Sequence, residues 1–391
     1  MTANQKANVG VIAALTLVHF TGDLYASFIN PLLPVFADSF SLSMTQVGLL
    51  AGVNRLFMFV VQPLAGYFAD HYRSRLFVLG GPLLTMVFIP LVGYAPSFLF
   101  LMAFIAIGSI GQALFHPPVA GMISGYSGRH FGFSMSIFNV GGTFAFAVGP
   151  IVITTIVHYL GLKGAVYSML IGLPLMVVLF KTVPKPEGEG LTSHGFFGSL
   201  KEAIGNAWKG IVVIWIVMVL RAFVSQAWLT FTPVLFAREG YSLISVGFIV
   251  SMFTLAGTLS GLLAGHLADR LGYKPIFYAS SLFTAPLLFL SIHLGGNWVF
   301  PLAFLTGFFS LATLPLGVAL GQEIAPKGKS MVASLMMGLA LGVGGVMSPL
   351  VGKFADLYTL KAVLYWLPVA PIISLFFVYH LPEKSPSSKG A

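Results

Sequence analysis

The chain has no cysteine and very little charge. Without cysteine there is no disulfide framework, no thiolate nucleophile and no Cys-ligated zinc. Acidic residues number only 11 among 391, and all charged residues together make up 8%, where a soluble protein carries about a quarter. A chain so poor in charge cannot cover itself with polar surface, which excludes a soluble globular reading. Also missing are an H-E-x-x-H pair, a G-x-x-x-x-G-K-[ST] phosphate loop and an extramembrane domain able to house a catalytic site. A membrane enzyme and a nucleotide-driven pump are disfavoured on those grounds. A receptor is disfavoured too, because no signalling domain is appended. No cofactor and no metal are expected.

Hydrophobicity is what the chain has in excess, at 57% of residues. A helix needs about 20 mostly apolar residues to cross a bilayer. Polar and turn-rich breaks leave twelve candidate spans, at roughly 9–36, 45–69, 76–95, 98–123, 131–158, 163–181, 210–237, 244–268, 275–294, 298–322, 330–356 and 361–380. The fold class expected is therefore all-α integral membrane. A net charge of +9 would point to nucleic acid in a soluble protein. In a membrane protein it records basic cytoplasmic loops, and no nucleic-acid partner is expected. With the N-terminus inside, fourteen Lys and Arg fall on the inner side, four on the outer side, and Arg55 and Arg221 lie within spans. That asymmetry places both termini in the cytoplasm. The opening MTANQKANVG lacks a small-residue cleavage pattern and is expected to be retained.

One short motif is written twice. GYFADHYRSR at 66–75 and GHLADRLGYK at 265–274 are 199 positions apart, and the same offset relates Pro34 to Pro233, Gly48 to Gly247 and Pro150 to Pro349. A duplicated hydrophobic half is how many secondary transporters are built, with the substrate handled between the halves. The division expected is a six-helix bundle at 1–181, a cytoplasmic linker at 182–209, and a second six-helix bundle with a short tail at 210–391. The linker opens with VPKPEGEG, a flexible composition. It closes with FFGSLKEAIGNAW, whose apolar residues recur at helical spacing and predict an amphipathic helix on the membrane surface.

Asp23 is the most informative single residue, because it lies mid-span with apolar sequence on both sides. A carboxylate there costs at least ~2.5–3.5 kcal/mol unless it is protonated, paired or facing a water-filled cavity. That cost makes it a candidate for proton coupling or substrate contact; the alternative is a fixed ion pair locking two helices. His19 lies four residues earlier, on the same helix face, placed to share a proton with Asp23 or simply to pack. Arg55 and Arg221 are each candidates to neutralise Asp23 or to hold an anionic substrate. Arg55 is favoured as the Asp23 partner, because helices adjacent in sequence usually pack together; Arg221 is then freer for substrate charge. Gln112 and His116 sit beside Pro117 and Pro118 in span 4, as a second relay, as substrate contacts, or as packing against a kink. Gly141, Ala145 and Gly149, followed by Pro150, recur at the spacing of a close helix contact, with Gly344 and Ser348 in the second copy.

At these residues the chain resembles the major facilitator superfamily over nearly its whole length. The resemblance implies twelve transmembrane helices in two pseudo-symmetric six-helix bundles that rock about a central site. It also implies a cytoplasmic gate built from Gly66, Asp70 and Arg75 and from Gly265, Asp269 and Arg270. The first copy of the gate motif departs from the pattern, with Arg73 where glycine is usual and Ser74 where arginine is usual. AFAVGP at 145–150 is similar to part of the superfamily's antiporter motif. The set HxxxD (His19, Asp23), QPxxGY (Gln62 to Tyr67), FHP (Phe115 to Pro117), GRHFG (Gly128 to Gly132) and SIFNVGG (Ser136 to Gly142) resembles the fosmidomycin-resistance branch. That likeness implies a proton antiporter of the prokaryotic inner membrane, exporting a small organic compound or drug; a monomer is expected. The competing expectations are a proton- or sodium-coupled importer of a small metabolite and a lipid-like substrate translocase.

Overall fold

The structure is a computed structural model that describes residues 7–71, 75–128, 130–185, 204–325, 332 and 334–382. Among them no strand occurs. Twelve helices are long and apolar enough to cross a membrane: Val9–Ser39, Met44–Ala65, Arg75–Tyr94, Phe98–Ile123, Phe133–Leu160, Leu162–Thr182, Gly205–Arg238, Leu243–Leu271, Tyr273–His293, Gly296–Ile324, Leu335–Leu357 and Leu360–Tyr379. They are called spans 1 to 12. Contacts divide the chain into two compact units, residues 1–192 with 233–251, and 193–232 with 252–391. Spans 7 and 8 thus each contribute to both units. The amphipathic helix expected at 196–208 falls mostly outside the described residues; its described end is a 3-10 turn, Gly205–Ala207, leading into span 7.

The helix starts follow from local chemistry. Ser43 and Gln46 form a reciprocal capping box at the start of span 2, Ser43 N–H donating to Gln46 Oε1 at 3.0 Å and Gln46 N–H to Ser43 Oγ at 3.2 Å. The repeat preserves the position: 199 residues later Ser242 Oγ accepts from Ser245 N–H at 3.2 Å before span 8. Prolines set the breaks. Span 1 is two helical segments, Val9–Ala26 and Ile29–Ser39, and Pro31 has no N–H to offer the carbonyl of Ser27. Span 10 likewise divides into Val299–Leu311 and Leu314–Ile324, where Pro315 leaves the Leu311 carbonyl without its donor. Span 4, by contrast, stays helical through Pro117 and Pro118 over Phe98–Tyr126.

Lipid gives helices no hydrophobic reason to associate, so close packing at small residues carries the assembly. In the first unit span 4 lies against spans 1, 2 and 3, and span 1 lies against span 5. Gly81 and Gly111 bring spans 3 and 4 into backbone contact: a Cβ on either would lie 2.6 Å from the other's carbonyl oxygen. Gly22 leaves room for the Phe115 ring, seating span 4 on the helix that carries Asp23. In the second unit span 9 packs on spans 10 and 12, and Gly307 lies so close to the Phe253 carbonyl that a Cβ would collide with it.

Candidate functional site

The first segment of span 1 puts His19 and Asp23 one turn apart on its buried face, at 7% and 3% exposure. Span 4 does the same with Gln112 and His116. The Gly22–Phe115 contact brings the two pairs together around one carboxylate. His19 Nε2 lies 3.1 Å from Asp23 Oδ2, and His116 Nε2 lies 3.2 Å from Asp23 Oδ1. Gln112 Nε2 donates to Asp23 Oδ1 at 3.0 Å. Span 5 closes the cluster: the Phe138 ring stacks on His19 at 4.2 Å between centroids, and Gly142 leaves its Cβ position empty against His19 and Asp23.

The far side of each imidazole decides its chemistry. His19 Nδ1 faces the Phe138 carbonyl at 2.9 Å, and His116 Nδ1 faces the Gln112 carbonyl at 2.8 Å. A carbonyl only accepts, so the hydrogen-bond network assigns a proton to both Nδ1 atoms. Each Nε2 then meets a carboxylate oxygen at hydrogen-bond distance, and such a contact needs a hydrogen between its atoms. Either the ring is an imidazolium or the carboxyl is protonated. Two contacts to two different oxygens therefore correspond to two ionisable protons. Remove one, and a nitrogen lone pair is left facing an oxygen lone pair at about 3 Å, which is repulsive. The ligating atoms of His19, Asp23 and His116 lie within 4.8 Å of one another, the one group of this kind among the described residues spaced to hold a metal ion.

Asn54 and Ser109 extend this network without having stood out in the sequence. Asn54 Nδ2 donates to Ser109 Oγ at 2.8 Å and reaches Gln112 Oε1 at 3.5 Å. That contact turns the Gln112 oxygen away from Asp23 and its N–H toward it. Asn54 was detectable as an amide inside an apolar run next to Arg55; Ser109 and the Phe138 carbonyl carried no signal. Arg55, half-buried on span 2, lies within electrostatic reach of Asp23.

Arg221 belongs to the second unit, at 5% exposure. Its guanidinium donates to Ser281 Oγ at 3.2 Å, to Ser280 Oγ, and to the carbonyls of Phe309 and Ser310 at 3.0 and 3.1 Å. Those carbonyls end the first segment of span 10, where a cation complements the helix dipole. Of the gate residues, Gly66 and Asp70 lie on the helix Met44–His71 with side chains outside the described set. Arg75 donates to the Phe180 carbonyl at 3.3 Å. Gly265, Asp269 and Arg270 end the helix Leu243–Leu271, with Asp269 and Arg270 exposed. The small-residue line of span 5 faces span 1: a Cβ on Gly141 would lie 2.9 Å from the Thr16 carbonyl, and one on Gly149 2.9 Å from that of Leu24. Ala145 and Pro150 are buried on the same helix. Gly344 meets Ala222, the repeat mate of Asp23, and Ser348 is buried a turn further on.

Twelve apolar spans, with a carboxylate and an arginine buried among them, define an integral membrane protein of the secondary-transporter class. A family model described as Major Facilitator Superfamily matches residues 15–349 and 238–391. The chain belongs to that superfamily. It has the superfamily's fold, twelve helices in two pseudo-symmetric six-helix bundles, and is a multi-pass transporter of small substrates rather than an enzyme. It is 26% identical to the fosmidomycin resistance protein of Escherichia coli (strain K12), over 98% of this chain and 95% of that protein. An uncharacterized MFS-type transporter of Bacillus subtilis (strain 168), YfnC, is 25% identical over 93% of this chain and 91% of its own. Among solved structures, a bacterial homolog of the human lysosomal transporter Spinster, inward-facing and occupied, superposes with a TM-score of 0.81. It is 15% identical, covering 98% of this chain and 100% of that one.

Proposed function

We propose that the chain is a proton-coupled antiporter that exports a small organic compound, with Asp23, His19 and His116 as the proton-carrying cluster. The observation that carries this reading is the pair of Nε2–carboxylate contacts, each requiring a proton, in a site buried among apolar spans. Losing either proton leaves one contact repulsive and frees a side chain to turn. A protonation change thereby becomes a packing change in spans 1, 4 and 5. Gln112 orients the carboxylate, and Arg55 tunes it from span 2. Rocking of the bundles 1–181 and 210–391, joined by the linker 182–209, exposes the cluster alternately to the two sides. The doubled motif around Asp70 and Asp269 closes the cytoplasmic side. The fourteen-to-four distribution of basic residues supports cytoplasmic termini. The likeness to the Escherichia coli protein supports export, and with it an inner-membrane location; the working unit in this reading is a monomer, with no nucleic-acid partner.

The test uses purified protein in sealed vesicles containing a pH-sensitive dye, with fosmidomycin, the drug in that relative's name, as first probe of a panel of small anions and amphiphilic drugs. Drug entering the vesicles by antiport drives protons out, so the lumen becomes alkaline. Lumen acidification on drug entry would instead mean symport, and drug flux without any pH change would sink the proton-coupling assignment.

A further inference from the structure

The second unit holds a buried positive charge that none of its described residues neutralises. Among the described residues no carboxylate lies within salt-bridge distance of Arg221. Four neutral acceptors take its terminal nitrogens, but its Nε is buried without a hydrogen-bond partner. A small void opens beside it, lined by Arg221, Val224, Thr284, Ser310, Pro371 and Ser374, with room for about one water-sized atom. Ser374 Oγ, fully buried on span 12, is also without a partner. The other hydroxyls at the void are engaged: Thr284 Oγ1 donates to the Ser280 carbonyl at 2.6 Å, and Ser310 Oγ pairs with Ser225 Oγ at 3.1 Å.

Two of the buried polar groups without a partner belong to residues lining this one void, whereas buried donors are almost always satisfied. One orphan is a cationic N–H, which can only donate, and the other a hydroxyl, which can donate, and both residues line the same space. An acceptor atom bearing negative charge satisfies both and offsets the buried guanidinium; a cation is repelled. We propose that this void is a subsite for a single anionic acceptor atom, bridging Arg221 Nε–H and Ser374 Oγ–H. Such an atom has two sources: a free halide ion, or one oxygen of an oxyanion carried by a transported molecule. The proposal is independent of proton handling at Asp23, which belongs to the other unit, and its test reads binding rather than flux.

The measurement is the thermal unfolding midpoint of the purified full chain in detergent, followed by tryptophan fluorescence. It is made against rising concentrations of sodium chloride, sodium bromide, sodium formate and sodium phosphate, with choline chloride as cation control. A ligand that binds only the folded state raises the midpoint with its concentration. Ser374→Ala removes one donor while stranding no partner, so it serves as the reference that cancels general salt effects. Wild type is expected to gain about 2–4 °C over Ser374→Ala with at least one anion, and Arg221→Gln to behave like Ser374→Ala. Gain with chloride and bromide identifies a free halide; gain with formate or phosphate alone identifies the oxyanion of a substrate. If the two midpoints differ by a constant amount at every concentration of every anion, the subsite does not exist.

Discussion

Gly142→Ala probes the cluster without replacing any of its polar groups. A Cβ at position 142 would collide with His19 Nε2, lie 2.5 Å from His19 Cε1 and lie 2.8 Å from Asp23 Oδ2. Ordinary contact between such atoms is about 3.5 Å, so the imidazole has to retreat by about 1 Å. The His19–Asp23 separation then grows from 3.1 Å to about 4 Å, beyond hydrogen-bond range. A hydrogen bond to a charged group contributes about 1.5–3 kcal/mol, and each 1.36 kcal/mol is tenfold in rate. Proton-coupled transport is therefore expected to fall by roughly 10- to 100-fold, while substrate exchange without a gradient changes less. Overpacking itself costs about 1–3 kcal/mol of stability, so midpoints are recorded alongside flux. Gly121→Ala is the control, since among the described residues no atom beyond its own helix backbone and chain neighbours lies within 4 Å of a Cβ there. Coupled flux of Gly142→Ala equal to that of the control would refute the proton-holding role of the His19 contact.

Three other outcomes follow from the same geometry. Asn54→Ala loses the bond that orients Gln112, worth about 0.5–1.5 kcal/mol, and is expected to lower coupled transport about 2- to 10-fold in the vesicle pH assay, with stability little changed. His116→Gln keeps a donor for Asp23 but no titrating ring, so the number of protons moved per substrate is expected to fall, as read from simultaneous dye and substrate traces. Gly307→Ala, in the second unit, drives a Cβ into the Phe253 carbonyl. It is expected to destabilise by about 1–3 kcal/mol, seen as a lower unfolding midpoint whether or not the cluster is intact.

The spans were legible because a bilayer imposes one length and one composition, and few charges interrupt the apolar runs. The pairing of His19 with Asp23 was legible too, since four residues is one turn. His116 was visible only as a histidine beside prolines. Its arrival at Asp23 depends on Phe115 settling over Gly22, a contact between residues far apart in the chain that no local pattern encodes. The hydrogen-bonded partners of Asp23 proved to be two imidazoles and an amide, with Arg55 acting from farther away. Arg221 shows the same limit from the other side. The sequence marked its charge, while the carbonyls it meets lie where the first segment of a different span ends. The small residues of span 5 were read as a packing line; a Cβ on Gly141 or Gly149 would meet carbonyls of span 1. Gly142, one position off that line, is the glycine that touches the cluster.

In the proposed mechanism Asp23, held between two histidines, carries the protons that drive transport. Asp23→Asn keeps the side chain's size and removes its charge, and reconstituted vesicles with an internal pH dye report both binding and coupling. Substrate is expected still to bind and exchange across a vesicle with no gradient, while substrate-driven proton movement disappears. Proton movement of wild-type size in Asp23→Asn would contradict it.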